Sequence, residues 1–229
     1  MEDNLTKGTQ GSLTLSDGSN LPFRLIGILH DDKADGSGKK AGLTFMAWNA
    51  LPKAYAMNNS HTNNGGWRDS LLRNQMNNGE IWNQFPTDFQ NNVTTVLKQT
   101  NNMDYGNTSG SAASATADKV WLVSYRELVP TIYDGGESSN GFQALSQEGS
   151  QYEYFQGKVM HNYSNNNILS GIYETVSGSA PSSASGSRWW ERSPDPYYSY
   201  YFLRVTSNGD PSYGNRAGNR YSVVPAFSF

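Results

Sequence analysis

This chain is polar without being highly charged, and that combination narrows the fold more than any single motif does. Charged residues fill 16% of its 229 positions, and most of the polarity comes from Asn, Ser, Gly and Thr. These are turn formers: Gly reaches positive φ without strain, and the short polar side chains bond to nearby main-chain groups. The expectation is a loop-rich fold in which short elements are joined by long connections. Aromatic residues make up 13% of the chain and include six Trp, which argues against disorder. The length suffices for one large domain with a real core, or for two small ones.

Several function classes fall away. The net charge is -3 and no stretch is strongly basic, so nucleic-acid binding by phosphate neutralisation is not expected. There is no Cys, which excludes disulfides, Cys-based zinc sites and thiol nucleophiles but leaves an extracellular setting open. No run approaches the ~20 apolar residues that cross a bilayer, so membrane insertion is not expected. The segment Met1 to Gln10 is polar and lacks the apolar stretch of a signal peptide. The chain would reach its destination inside a particle or a larger protein, or after loss of a leader.

Residues 1–20 read as a flexible lead-in or an edge hairpin, and 21–229 as a single domain. Phe23 to His30 and Leu43 to Trp48 read as a β-hairpin around the polar turn Asp31 to Lys40. Ala54 to Gly66 is an Asn-rich loop. The spacing of Trp67, Leu71, Leu72 and Met76 predicts a helix over 67–77. Glu80 to Phe85 reads as a short helix stopped by Pro86, and Asp88 to Val96 as a third. Met103 to Asp118 reads as a low-complexity loop, and Lys119 to Val123 as a strand. Ser124-x-x-Glu127 has the spacing of a capping box. Gly135 to Glu148 is irregular and Gly178 to Ser187 is a second connector. Tyr201 to Thr206 and Tyr221 to Phe227 read as closing strands.

Few residues invite chemistry. Asp31, Asp32 and Asp35 fail the spacing of a calcium loop, since Lys33 would fall at the third ligand position and Gly42 at the twelfth, so a solvated turn is expected. His30, His61 and His161 are isolated, without the pairing that zinc requires. No Gly-x-Ser-x-Gly elbow is present, and the acids are not separable from ordinary surface acids. No catalytic residue, metal site or cofactor is therefore expected.

The final 37 residues, Ser193 to Phe229, contain no Lys, Glu, Gln, Met or Trp. Those types occupy 37 positions of the whole chain, all earlier. An Asn codon AAY randomised at its adenines becomes NNY, which encodes every residue type except those five, and no stop. In their place stand Tyr197, Tyr198, Ser199, Tyr200, Tyr201, Asp210, Ser212, Tyr213, Asn215, Arg216, Asn219 and Arg220. Tyr, Ser, Gly and Asn, with Arg, are the vocabulary of antibody binding loops: rigid contact area plus adaptable hydrogen bonds. The adjacent pairs Tyr197-Tyr198 and Tyr200-Tyr201 cannot all share one sheet face, and their Pro and Ser neighbours suit a loop. Ahead of them, Trp189 and Trp190 read as structural anchors.

Three segments together resemble a known family. Gly66-Trp67-Arg68-Asp69-Ser70-Leu71-Leu72-Arg73 is similar to its W-x-x-S-x-L-R helix, and Lys119 to Leu128 to its K-V-(F/W)-L-x-S-x-x-E-L strand. Trp189-Trp190-Glu191-Arg192-Ser193-Pro194, with Val223-Val224-Pro225-Ala226-Phe227, is similar to its W-W-L-R-S-P … V-R-P-A-F ending. This is the C-type-lectin-fold domain of bacterial surface and phage proteins, related to the formylglycine-generating-enzyme fold. The resemblance runs from about Leu21 onward. It implies an α+β, C-type lectin-like fold with mixed or antiparallel sheets, two or three short helices and long loops. Val224 departs from the family's Arg, and the absence of Cys rules out the oxidising Cys chemistry of those enzymes.

Within this fold, the variable proteins of diversity-generating retroelements end in a similar way. That resemblance implies a variable region at about 189–229. Its candidate ligand contacts are Asp195, Tyr197, Tyr198, Ser199, Tyr200, Tyr201, Asp210, Ser212, Tyr213, Asn215, Arg216, Asn219 and Arg220. Trp189, Trp190, Arg192, Pro225 and Phe227 would be structural. The expected function is non-enzymatic binding of a protein or glycan ligand on another cell or particle, from a phage virion or a bacterial surface. The alternative is a fixed-specificity glycan-binding domain or an enzyme on the same fold.

Overall fold

The computed structural model describes residues 9–102, 113–130, 132, 142–157, 159–162, 166–169, 188–207 and 209–229. It is an α+β structure built mostly from small antiparallel sheets with a few short helices. The largest sheet contains β1 (Gln10–Thr14), β2 (Asn20–Ile28), β3 (Leu43–Ala47), β7 (Val120–Trp121) and β14 (Ala226–Ser228). Its strand order is β1-β2-β3-β14-β7, so the last strand lies between two that precede it by many residues. β1 pairs with β2, which makes residues 10–28 the edge hairpin; residues 1–8 lie outside the described residues. β2 also pairs with β3, the hairpin read from the sequence, with a register shift between Leu25 and Gly27.

Smaller pairs surround this sheet. β5 (Val96–Asn101) pairs with β6 (Ala113–Asp118), and β4 (Tyr55–Ala56) with β13 (Arg220–Tyr221). β8 (Val159–Asn162) pairs with β9 (Asn166–Leu169). β10 (Trp189–Pro194), β11 (Tyr201–Val205) and β12 (Tyr213–Arg216) form an antiparallel three-stranded sheet. One hydrophobic core takes side chains from Leu15 to Phe227. Its aromatic knot is Phe23, Phe45, Phe85, Phe89 and Phe227, with Phe89 and Phe227 edge-on at 4.9 Å and the exposed Phe229 ring against its rim. Such a pair contributes about 0.5–1.5 kcal/mol beyond the area it buries.

Several elements depart from the sequence reading. Helix α1 spans Leu71–Asn77, capped by the Ser70 hydroxyl, which accepts from the Arg73 N–H. Trp67 to Asp69 stay outside it, because the Trp67 indole donates to the buried Asp118 carboxylate at 2.9 Å. Trp82–Gln84 is a 3-10 turn, and helix α2 covers only Thr87–Asn92. Val93 is already extended and leads into β5. Part of the expected low-complexity loop is strand β6, whose small side chains read as loop until its partner β5 is known. Residues 103–112, 133–141 and 170–187 lie outside the described residues, as does the side chain of His161. The capping box at Ser124 is formed with both arms and opens the one-turn helix α3 (Tyr125–Leu128).

Candidate functional site

The floor of the site is β10, every residue of which is buried. Trp190 donates its indole N–H to the Tyr55 carbonyl at 2.9 Å and stands edge-on to Tyr221 at 4.8 Å. Trp189 is equally enclosed and bridges to Ser222. The register of β10 shifts between Trp190 and Pro194, and within that stretch Arg192 and Ser193 engage partners in the core.

Arg192 spends all its donors. It grips Glu127 at both carboxylate oxygens, 2.5 and 3.0 Å, and donates to Thr100 Oγ1 and the carbonyls of Leu122, Gln99 and Glu148. Glu127 also meets Lys98 Nζ at 2.5 Å, and Lys98 reaches Asp31 at 2.6 Å and the Tyr152 hydroxyl at 3.0 Å. Two cations and two anions thus share one buried network, which offsets the desolvation of each. Burial raises the carboxyls of Asp31 and Glu127, but Lys98 and Arg192 respectively outweigh it and hold both below the usual range. Glu148 accepts from Ser193 Oγ and from the Asn101 N–H; burial, only partly opposed by Arg192, raises it to about 7. The expected solvated turn at Asp31 is therefore corrected. Residues 35–40 are exposed, but Asp31 is buried, because its carboxylate is the partner that Lys98 needs.

The loop between β10 and β11 carries Tyr197, Tyr198 and Tyr200, while Tyr201 opens β11 and Tyr213 opens β12. Tyr197, Tyr198, Tyr200 and Tyr213 are 39%, 49%, 37% and 53% exposed. Tyr198 lies 5.8 Å from Tyr200 and 5.1 Å from Tyr201, and the Arg216 guanidinium sits over Tyr200 at 5.9 Å. Arg216, Asn219 and Arg220 are exposed; Ser199, Tyr201, Ser212 and Asn215 are half-buried. Asn215 accepts from the Asn219 side chain at 2.8 Å and fixes the turn at 216–219.

Asp195 and Asp210 do not belong with these contacts, and here the expectation is corrected. Both are buried. Asp195 accepts the N–H groups of Tyr197 and Tyr198 at 2.8 and 3.3 Å and packs where Gly214 leaves no room for a side chain. Burial raises its carboxyl to about 6 against the lowering effect of those two N–H groups. Asp210 accepts from the Ser212 N–H at 2.8 Å and closes the turn between β11 and β12. A short carboxylate bonding to main chain two residues on braces a loop rather than reading a ligand.

A residue that the sequence reading passed over does the most for the loop. Asn63 is buried, and its side-chain amide donates to the carbonyls of Asp195, Tyr198 and Tyr201 at 3.1, 2.9 and 2.9 Å. Its own N–H donates to the Ser199 carbonyl at 2.8 Å. Nothing in the Asn-rich loop marks it out, since its partners lie more than a hundred residues away. Lys98 did leave a signal: with Val96 and Thr100 it holds the inward phase of β5.

Of the expected structural set, Trp189, Trp190, Arg192, Pro225 and Phe227 are all buried. Val224 is also buried and apolar, so no cation needs a partner there. Among the described residues no cluster of three or more His, Asp or Glu is placed to hold a metal, and no helix is long and apolar enough to cross a membrane. No curated protein and no solved structure matches the chain. A family model does match residues 41–229, covering the tyrosine loops and all of the buried network except Asp31. The chain belongs to that family, which is described as a domain of unknown function, DUF6273.

Proposed function

We propose that this chain is a ligand-binding protein whose C-terminal loops are the contact surface, diversified by a retroelement on a C-type lectin-like scaffold. One observation carries the reading: three tyrosines stand exposed on a loop whose main chain Asn63 ties down, and a fourth, Tyr213, stands exposed on the neighbouring strand β12. Rigid aromatic contact area on a braced loop loses little entropy on binding. The restricted alphabet of the last 37 residues accounts for why those positions are Tyr, Ser, Asn, Asp and Arg. Strands from both ends of the described chain meet in the largest sheet while a second sheet presents the loops, as a lectin-like scaffold would require.

The occupant is a protein or glycan on another cell or particle, met by a phage virion or a bacterial surface. This surface works by contact and not by catalysis. The DNA next to the gene tests the reading. A reverse-transcriptase gene with a near-identical repeat of the segment for 189–229, differing at adenines, is the expected finding. A locus without either would replace this reading by a binder of fixed specificity.

A further inference from the structure

A second group of residues lies apart from the tyrosine loops, just beyond β2. Leu29 has φ of 52°, the one non-glycine among the described residues with positive φ, and it is exposed. A branched residue adopts that conformation only when its surroundings impose it. The turn delivers His30 against the segment 149–155. At Gly27 a side chain would collide with Tyr152, Glu153 and His30, so only glycine lets that segment close onto β2. Gly149, with φ of 112°, turns the chain immediately before Ser150. Three backbone devices thus converge on three side chains.

Those side chains form a relay. Ser150 Oγ lies 3.4 Å from His30 Nε2, and His30 Nδ1 lies 3.1 Å from Glu153 Oε1. The His30 ring packs on Tyr152 at 4.1 Å, which fixes its plane. With the Nδ1 proton donated to Glu153, Nε2 is left to accept from the Ser150 hydroxyl, the tautomer a general base requires. A cavity of about 150 Å³ opens beside them, lined by His30, Gly149 and Ser150 and by Asp31, Lys98 and Glu127. That volume suits a small acyl group, since one water occupies about 30 Å³ of liquid and the cavity is several times that size.

We propose that Ser150, His30 and Glu153 form a nucleophile, base and orienting acid that hydrolyse small acyl esters of acetyl size. Ser150 Oγ adds to the ester carbonyl carbon while its proton passes to His30 Nε2. The bond to the alcohol oxygen breaks, and the departing alcohol takes that proton, leaving an acyl group on Ser150. Water then adds to the same carbon, gives a proton to Nε2 and releases the acid, with the proton returning to Ser150. Ester and water become acid and alcohol, and no other reactant is needed. Ser150 and His30 are catalytic residues; Glu153 is a positioning residue that holds the ring and stabilises its cation. Lys98 takes no part, because its donors are spent on Asp31, Glu127 and Tyr152.

Burial disfavours the imidazolium of His30, but the Glu153 hydrogen bond and then the charges of Asp31 and Glu127 outweigh it, so the ring titrates above its usual range. Lys40 binds the His30 carbonyl and Lys98 stands behind Asp31; both cations are paired with carboxylates. Ester turnover should therefore rise toward mildly alkaline pH, and Glu153→Gln should lower the rate and move that rise to lower pH.

The experiment uses the intact chain with p-nitrophenyl acetate, and a fluorophosphonate probe followed by peptide mapping. The expected result is a label on Ser150 and ester turnover that Ser150→Ala reduces at least 100-fold with the melting temperature unchanged. Ser150 is exposed, so its replacement should not unfold the chain. An unlabelled wild-type chain, or turnover and label that survive in Ser150→Ala, would overturn the proposal. The label on Ser150 and its loss in Ser150→Ala are read with no ligand of the C-terminal loops present, so failure here and failure of the binding reading are separate outcomes.

Discussion

The two sides of β10 obey opposite rules. Below it, Arg192 and its partners leave hardly a donor unspent, and every bond fixes another segment of main chain. Above it, Tyr198 and Tyr213 present rings that the fold itself barely uses. The two sides are joined by Asn63 and Asp195, which hold the loop by its backbone and not by its side chains. Conformation is thus set by main-chain bonds from below, and identity is left free above. That separation is what a surface open to many sequences needs.

The largest break in this contrast should come from Arg192→Ala. It leaves Lys98 as the one cation beside the buried Glu127 and Asp31 and should cost about 3–5 kcal/mol, seen as loss of cooperative unfolding or a steep fall in melting temperature. A change below about 1 kcal/mol would mean that the network does not hold the fold together.

A pH series sharpens the same side. Glu148 titrates near 7 in the folded chain against an ordinary 4.5, so between those values the folded state keeps a proton that the unfolded state has released. Stability must then fall as pH rises through that window. Asp195, raised to about 6, acts with the same sign over its lower window, and His30, also raised, adds to the loss at higher pH. Asp31 and Glu127 have the opposite sign, and their contribution is lost as pH falls below the carboxylate range. Stability should peak at about pH 4, where the opposite signs balance, and decline by about 3 kcal/mol between pH 5 and pH 7. Glu148→Gln should flatten that decline in melting curves; an unchanged slope would place the titration elsewhere.

Asn63→Ala should cost about 1–2 kcal/mol by leaving three carbonyls without their donor. It should also loosen the loop, which hydrogen exchange at Tyr198 and Tyr201 would register. Smallest of all, Tyr213→Ala should stay within about 0.5 kcal/mol of wild type in stability. A library with NNY at 197, 198, 200, 201, 213, 215, 216, 219 and 220 should remain mostly folded while its binding varies widely. One that randomises Trp189, Arg192, Pro225 and Phe227 should mostly unfold. Equal losses in the two would remove the distinction between the two sides.

What was legible in the sequence was local. Ser124 and Glu127 are three residues apart, so their reciprocal cap is written in one short string. The β2–β3 hairpin shows in two apolar runs around one polar turn, and the Trp pair declares its own burial. The network was not legible, because Asp31, Lys98, Glu127, Glu148 and Arg192 come from five separate segments. Glu127 was read as a cap and nothing marked its second role. Nor could Asp195 and Asp210 be told from Tyr197 or Tyr213, since brace and contact are drawn from the same restricted alphabet and differ only in burial. Strand β6 shows the same limit: small residues become a strand only beside β5.

The position of β14 has a consequence for how the chain is made. It is the middle member of the path β3-β14-β7, yet it is synthesised after every tyrosine loop. A ribosome must therefore read through the whole of 189–225 before the largest sheet can close, and pairing so distant in sequence is slow to form. A copy interrupted anywhere in that stretch loses β14, the strand that joins β3 to β7, whichever tyrosines it has kept. Such a product would fail as a whole rather than circulate with a defective tip, so the fold proofreads the completeness of the very segment it displays.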